Sequence, residues 1–237
     1  MKLWQLSLTL FFTSIISSCI TIPSDEIESQ DSIYAHYFAE KTNGSNNIQA
    51  KTIFYEYKNG RIFQDHVALR GNSFIKFQDL PMIEIRNGWE QAKYEQNYNS
   101  RRPLDSRETV RFTYQNNAGD IFHNEFNFPS FPAIDRNSII INTDRNNIYY
   151  QFSWGFFNTN RHRSKTSVKL DIRTNHTMYS IQLKTYNYKG VIPKSGRTGE
   201  TILGFKICSE LTQNAIGSSN KDRSTTTFCD RPVLVNQ

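Results

Sequence analysis

Apolar and polar residues alternate along several short runs of the chain, a pattern typical of strands that bury one face. In Glu108–Gln115, Val110, Phe112 and Tyr114 share one face, and the residues between them are polar or charged. The other runs with this alternation are Ile148–Trp154, Val168–Arg173 and Tyr179–Lys184. Each run predicts a strand of an antiparallel sheet with one face in the core.

Further strands are predicted where short apolar-rich runs lie between turn residues such as Asn59-Gly60 and Asn87-Gly88. These runs are Ile53–Tyr57, His66–Leu69, Phe74–Phe77, Ile83–Arg86, Gln91–Tyr98, Ile121–Phe128, Ser138–Ile141, Ile202–Cys208 and Thr226–Leu234. Many short strands at roughly ten-residue spacing, without long helices between them, favour an all-β fold. We therefore expect an antiparallel β-sandwich, with a β-barrel as the alternative.

One segment has helical rather than alternating spacing. Within Ser32–Thr42, Ile33, Tyr34, Tyr37 and Phe38 would share one face of a helix. Asn43-Gly44 follows, and such a pair commonly ends a helix. The sequence therefore predicts one short N-terminal helix lying on the sheet.

The first eighteen residues have the organisation of an export signal. Lys2 gives a positive start, and the largely apolar run Leu3–Ile16 is shorter than the roughly 20 residues that a membrane-spanning helix needs. The run ends in Ile16-Ser17-Ser18-Cys19, which resembles the lipobox of bacterial lipoproteins. The resemblance implies removal of a 1–18 signal peptide and attachment of lipid to Cys19. The alternative is an ordinary signal peptide with a cysteine there by chance.

The same resemblance implies where the protein is located. In these lipoproteins an Asp after the lipidated cysteine favours the inner membrane, and Ile20 follows here, so outer-membrane delivery is implied. Two or more acyl chains would hold the protein without a transmembrane segment. Residues 19–31 are rich in Ser, Asp and Glu and predict a flexible tether that could extend about 40 Å. Residues 32–237 are expected to form a single β domain.

A second, shorter resemblance lies in the middle of the chain. An aromatic and proline corner precedes Ile139–Ile141 and Tyr149–Trp154, where a strand ends near a tryptophan. The corner consists of Phe126, Phe128, Pro129, Phe131 and Pro132. This arrangement is similar to uncharacterised proteobacterial β-sandwich lipoproteins. The resemblance implies a fold and no activity.

Two cysteines remain once Cys19 is assigned to the lipid. In an oxidising compartment we expect Cys208 and Cys229 to form a disulfide, with two buried free thiols as the alternative. The bond would close a loop of about 20 residues and stabilise the fold by roughly 3 kcal/mol. The intervening sequence, with its Gly-Ser-Ser-Asn run, predicts an irregular loop.

The charge distribution suggests partners. The chain has a formal net charge of +6, and the acids of the predicted tether leave the body more basic. Candidate anion-binding side chains lie in two predicted loops: Arg161, His162, Arg163 and Lys165 in one, and Arg101 and Arg102 in the other. Solvated basic loops without a ligand are the alternative. Nucleic acid is not expected for an exported protein.

Exposed tyrosines offer a different kind of contact. Tyr149, Tyr186 and Tyr188 could stack on sugar rings, unless they pack into the second face of their sheet. An envelope glycan, a glycolipid or a partner protein is therefore the expected partner. The lipid anchor itself would contact the membrane.

Motifs for catalysis are sparse. The five histidines lack the spacing of metal ligands, there is no Gly-x-Ser-x-Gly motif, and we expect no metal and no cofactor. His123 and Glu125 share a predicted strand face and are the best acid–base pair that spacing alone provides. Two hypotheses follow: a non-catalytic envelope lipoprotein that binds a partner, or an envelope hydrolase whose site assembles only in three dimensions.

Overall fold

A computed structural model describes residues 21–58, 61–86, 91–100, 109–157, 166–194, 199–214 and 222–235. Within these ranges the chain forms strands and three short 310 helices, without any α-helix. The strands of the first half are β1 Thr21–Pro23, β2 Ile33–Thr42, β3 Asn47–Lys58, β4 Arg61–Ala68, β5 Phe74–Phe77, β6 Leu80–Pro81, β7 Ile83–Ile85, β8 Lys93–Asn99, β9 Thr109–Gln115 and β10 Ile121–Asn127. The second half contributes β11 Phe131–Ile134, β12 Ile140–Thr143, β13 Asn147–Phe157, β14 Thr166–Thr174, β15 Met178–Leu183, β16 Asn187–Pro193, β17 Ile202–Asn214, β18 Arg223–Cys229 and β19 Val233–Leu234. The 310 helices are Ser24–Glu26, Gln30–Ser32 and Arg136–Ser138.

These strands form one large sheet and two small ones. The large sheet has the order β1-β4-β3-β2-β18-β17-β14-β15, with β8 on β3, β7 on β8 and β19 on β17. The first small sheet is β10-β9-β5-β6, and the second places β11 and β12 on one edge of β13 and β16 on the other. Most pairs are antiparallel, while β1 with β4 and β2 with β18 are parallel.

Both small sheets cover the same face of the large sheet. Residues that are directly opposite on neighbouring strands project to the same face of a sheet. Ala39 of β2 is opposite Thr226 of β18, and Thr226 is opposite Leu211 of β17, so the three side chains share one face. One core lies under β5, β9 and β10, and the other under β13. The largest buried side chains of the first core include Tyr37, Phe54, Phe77, Phe112 and Phe126, and those of the second core include Ile148, Leu170, Ile172 and Phe205. The predicted β-sandwich is confirmed, and its described sheets remain open at their edges.

The predicted N-terminal helix is wrong, because the segment forms β2. Ala35, Tyr37 and Ala39 point into the core, while Tyr34, His36 and Phe38 lie on the opposite face. Helical spacing and strand alternation were both compatible with this aromatic-rich run. Pairing with β3 on one side and β18 on the other satisfies its backbone groups and decides for the strand.

The glycine expected to end that helix serves a strand connection instead. Gly44 has a φ of +66° in the turn between β2 and β3, a backbone conformation that glycine adopts without strain. The guanidinium of Arg231 occupies the position that a Cβ at residue 44 would take, 2.2 Å from its Nη2 atom. Arg231 also donates to the Asn43 and Gly44 carbonyls.

The predicted flexible tether over 19–31 is wrong for residues 21–31. β1 pairs with β4 from Thr21 onward, and Ile27 is buried in the first core. Ser24 is fully buried, and its hydroxyl accepts from the Arg70 backbone N–H at 2.8 Å. The Gln30 amide donates to the Ser24 and Ile27 carbonyls at 2.9 Å. Apolar anchors and short side-chain hydrogen bonds order a segment whose polarity had suggested a coil.

The predicted disulfide is confirmed. Cys208 and Cys229 are directly opposite in the β17–β18 hairpin, with a Cα–Cα distance of 4.0 Å. The described residues between them, 209–214 and 222–228, mostly continue the two paired strands, and the Gly-Ser-Ser-Asn run that predicted an irregular loop lies outside the described residues. The hairpin therefore brings the two thiols together by strand pairing alone.

Most predicted strands are present, some longer than expected. The faces predicted for β9, β13 and β14 are buried as expected. The strand predicted over Ser138–Ile141 is partly wrong, because a 310 helix ends at Ser138 and β12 begins only at Ile140. No helix in the described part of the chain is long and apolar enough to cross a bilayer.

Candidate functional site

The solvent face of the second small sheet gathers polar and aromatic side chains around one tyrosine. In β13, Tyr149 has Asn142 of β12 opposite on one side and Val191 of β16 opposite on the other. Two residues further along β13, Gln151 is flanked in the same way by Ile140 and Lys189. These side chains, with Ser153 and Asn187, form what we term the tyrosine face: Ile140, Asn142, Tyr149, Gln151, Ser153, Asn187, Lys189 and Val191.

The alternation of β13 explains why this face exists. Ile148, Tyr150 and Phe152 point into the second core and are almost completely buried. Every second residue must then point away from the core, because successive side chains of a strand project to opposite faces. Tyr149 and Gln151 are consequently presented to solvent on a rigid element.

The ring of Tyr149 is held in place although 40% of the residue is exposed. Its hydroxyl donates to the Asp144 carboxylate at 2.9 Å and accepts from the Asn147 side-chain amide at 3.4 Å. The same carboxylate accepts the backbone N–H groups of Asn146 and Asn147, each at 2.7 Å. Lys194 donates to the Asp144 carbonyl. An exposed aromatic ring is thus fixed by a short turn that is itself hydrogen-bonded.

The charges around this turn follow from the same bonds. The backbone N–H of Asn146 and the Tyr149 hydroxyl hold the pKa of Asp144 below its usual value. The adjoining carboxylate in turn raises the pKa of the Tyr149 phenol. At neutral pH the turn therefore presents an ionised carboxylate bonded to a neutral phenol.

A close contact supports the face from below. The hydroxyl of buried Tyr150 lies over Gly190 of β16, 2.2 Å from where a Cβ would be built. Only glycine allows the Tyr150 ring to lie against the strand at this position. The backbone that carries Lys189 and Val191 is therefore fitted to the side chain beneath it.

The tyrosine face surrounds a shallow depression of about 390 Å³. Its lining includes Ile140, Asn142, Tyr149, Lys189 and Val191. The apolar edges, the phenol ring, the amides and the single cation match the mixture that binds small polar ligands with apolar faces.

No protein-family model matches the chain, and no curated protein matches it. Among solved structures, the crystal structure of DIP-gamma IG1+IG2 aligns with 84% of this chain and 95% of that chain, at 5% sequence identity and a TM-score of 0.22. A TM-score this low supports no inference about this protein. The sandwich assignment rests on the sheets themselves.

The three tyrosines predicted to meet sugars have different environments. Tyr149 is on the tyrosine face, as proposed from its exposure. Tyr186 is also exposed, but it precedes β16 and its ring packs against Trp154, with centroids 5.0 Å apart. Tyr188 is partly buried and packs against Tyr150 and Phe152 in the second core. For Tyr188 the alternative of packing into the sheet is correct.

The predicted anion-binding residues lie outside the described part of the chain. These are Arg101, Arg102, Arg161, His162, Arg163 and Lys165, and the proposed lipidation residue Cys19 is also outside it. Their roles remain predictions. Lys189 on the tyrosine face is a described cation that the sequence reasoning missed, since β16 was not among the predicted strands.

The proposed acid–base pair occupies an open sheet face. His123 and Glu125 are both exposed on β10, at the edge of the first small sheet. The ring Nδ1 of His123 and the Thr113 hydroxyl are 3.1 Å apart in a hydrogen bond. Across the described ranges, no group of three His, Cys, Asp or Glu side chains could hold a metal ion.

Another groove lies on the face of the large sheet opposite the two small sheets. It measures about 340 Å³ and includes Glu40 and Glu95 in its lining, with Lys51 on the strand between them. Glu40 accepts from Lys206 at 2.9 Å. Two strand spacings, about 10 Å, separate the strands that carry the glutamates. This open groove does not enclose the carboxylates in the water-excluded site that favours acid–base catalysis.

Proposed function

We propose that the protein is a non-catalytic, lipid-anchored binding protein of the bacterial envelope that recognises glycan through the tyrosine face. The observation that carries the proposal is the fixed, exposed ring of Tyr149 among amide, hydroxyl and ammonium groups on the outer face of the sheet. A sugar ring has apolar C–H faces and polar hydroxyl edges. The tyrosine face supplies a partner for both.

Preorganisation supports this assignment. Ordering a free side chain on binding costs about 0.5–1.5 kcal/mol, and the bonds to Asp144 and Asn147 remove most of that cost for Tyr149 before a ligand arrives. Ser153 and Asn187 are likewise joined, with the hydroxyl donating to the amide oxygen at 2.7 Å. The remaining amides of Asn142 and Gln151 can turn toward ligand hydroxyl groups.

Lys189 projects from the tyrosine face and can pair with glycans that carry carboxylate or phosphate. The ionised carboxylate of Asp144 lies in the turn that holds the Tyr149 hydroxyl. Peptidoglycan and lipopolysaccharide both present anionic sugar polymers in the envelope. The shared chemistry is a glycan that carries anionic groups, and binding assays with the two purified polymers distinguish the sources.

The test compares Tyr149→Ala with Tyr186→Ala in binding to both polymers. Tyr149→Ala should weaken binding about fivefold or more, because truncating a central aromatic contact costs at least about 1 kcal/mol. Tyr186→Ala removes a tyrosine of similar exposure outside the face and should leave binding unchanged. Equal binding by both variants and the native protein would refute the proposed site.

The anchor rests on the lipobox resemblance of Ile16-Ser17-Ser18-Cys19. Cys19→Ala should release the protein from membranes while leaving its circular dichroism spectrum unchanged, since Cys19 precedes the first strand. A variant that still sediments with outer membrane after a high-salt wash would show that the lipobox assignment is wrong.

A further inference from the structure

The distance between Cys19 and the folded domain is set by the start of β1. Thr21 is already paired with His66 of β4, so only Ile20 separates the proposed lipidation residue from the sheet. Two residues span at most about 7 Å even when fully extended. The 40 Å reach expected from a flexible tether is therefore not available to this chain.

The tyrosine face lies over the other half of the large sheet. Its sheet packs on β17, where the ring of Phe205 is 5.7 Å from Phe152 and 6.0 Å from Tyr150. In the order β1-β4-β3-β2-β18-β17, the first and last strands are five spacings apart. At about 4.8 Å per spacing this is roughly 24 Å, before the thickness of the covering sheet is added.

Taking these positions together, we propose that the folded domain itself is the spacer of this protein: its β1–β4 edge rests against the bilayer surface, and the large sheet carries the tyrosine face away from it. The inference rests on the proposed lipid anchor at Cys19. The large sheet is a hydrogen-bonded body with buried cores on one face, so it holds this separation without an additional linker.

The charges on the surface beside β1 indicate that the lipid anchor, and not electrostatic attraction, brings the β1–β4 edge to the bilayer. Asp25, Glu26, Glu28 and Asp31 are all exposed in the segment that follows β1. These carboxylates would be repelled by anionic headgroups. Charge should therefore not attract this edge to anionic headgroups, and the covalent anchor alone should bring it to the membrane.

The experiment uses the full lipidated protein in neutral phosphatidylcholine vesicles that contain a contact quencher on the lipid headgroups. A fluorophore is attached through Glu26→Cys near β1, or through Val191→Cys on the tyrosine face. The introduced thiol is the reactive one, since Cys208 and Cys229 are paired and Cys19 would carry lipid. We expect strong quenching at position 26 and at least fivefold weaker quenching at position 191.

A second variant carries ten Gly-Ser residues inserted between Ile20 and Thr21. The insertion should reduce quenching at position 26 severalfold, because it restores the flexible tether that the native chain lacks. Equal quenching at the two positions, or no change on insertion, would overturn the inference.

The outcomes separate this inference from the proposed function. If Cys19→Ala protein remains on membranes, the anchor is wrong. If the native protein depends on Cys19 for retention but position 26 is not quenched, the anchor stands and only the spacer inference fails. Glycan binding by Tyr149→Ala is measured in solution and is independent of both.

Discussion

At the scale of single residues, the candidate site depends on side chains whose positions are fixed by their neighbours. Tyr149 is oriented by Asp144, which is oriented in turn by two backbone N–H groups. Residue 190 has to be glycine, because the Tyr150 hydroxyl occupies the space that a Cβ would fill. The tyrosine face and the second core therefore both depend on the fit between Tyr150 of β13 and Gly190 of β16.

Gly190→Ala should destabilise the protein by about 1–3 kcal/mol, the usual cost of overpacking. The new methyl group would overlap the Tyr150 hydroxyl, and that ring is buried and cannot easily move. Gly155→Ala in β13 is the matched control, because a Cβ there meets nothing within 4 Å. Urea denaturation measures both, and equal midpoints would contradict the packing described for Tyr150.

Glu84 should give the fold a pH dependence in the acid range. Hydrogen bonds, first from Arg70 and then from Arg86, lower its pKa from 4.5 to about 2. A carboxyl with a depressed folded-state pKa contributes stability that is present above its unfolded pKa and is lost as pH falls through the folded one. The window is therefore pH 4.5 down to about 2.

Glu84→Gln should remove part of that dependence, since the amide does not titrate. Urea midpoints measured across pH 2–5 should fall less steeply in the variant than in the native protein. Glu95→Gln is a control on the neighbouring strand, where the carboxylate is exposed and forms no ion pair within the described residues. An identical slope for native protein and Glu84→Gln would show that the Arg70 pair contributes no stability.

At the scale of elements, strand pairing decided what local sequence left open. β2 lies between an antiparallel neighbour, β3, and a parallel neighbour, β18. The pairing with β18 joins residues as distant in sequence as His36 and Arg223. β16 completes the tyrosine face although its sequence, Asn187–Pro193, includes a glycine and only one deeply buried side chain, Ile192. Both depend on partners that are distant in sequence.

The disulfide belongs to this scale because it joins two paired strands. Replacing both cysteines, Cys208→Ser with Cys229→Ser, should lower stability by about 3 kcal/mol, since the unfolded chain regains the entropy of a loop of about 20 residues. The hairpin pairing should persist, so the far-ultraviolet spectrum should not change. A variant with native stability under oxidising conditions would contradict this expectation.

At the scale of the whole molecule, one large sheet contributes buried residues to both hydrophobic cores. β2, β18, β17 and β14 are consecutive neighbours, and the first core ends where the second begins, around β18. Breaking either core exposes strands that support the other. The described body is therefore expected to unfold cooperatively.

Calorimetry should show a single transition whose calorimetric and van't Hoff enthalpies agree. Phe112→Ala in the first core and Phe205→Ala in the second should each cost about 3–5 kcal/mol and lower the same transition. Two separate transitions, each sensitive to only one of these substitutions, would show that the cores unfold independently.

The sequence by itself determined the β class, the buried faces of β9, β13 and β14, the disulfide pair, and the position of Tyr149 on the outer face of β13. Those features follow from period-two alternation and from the even cysteine pair, which are local properties. Only the tertiary structure decided that 33–42 is a strand, that 21–31 packs on the domain, and that Asn142 and Lys189 stand beside the outer face of β13. These depend on pairing between distant strands, whose register places side chains together without leaving a periodic signal in the sequence.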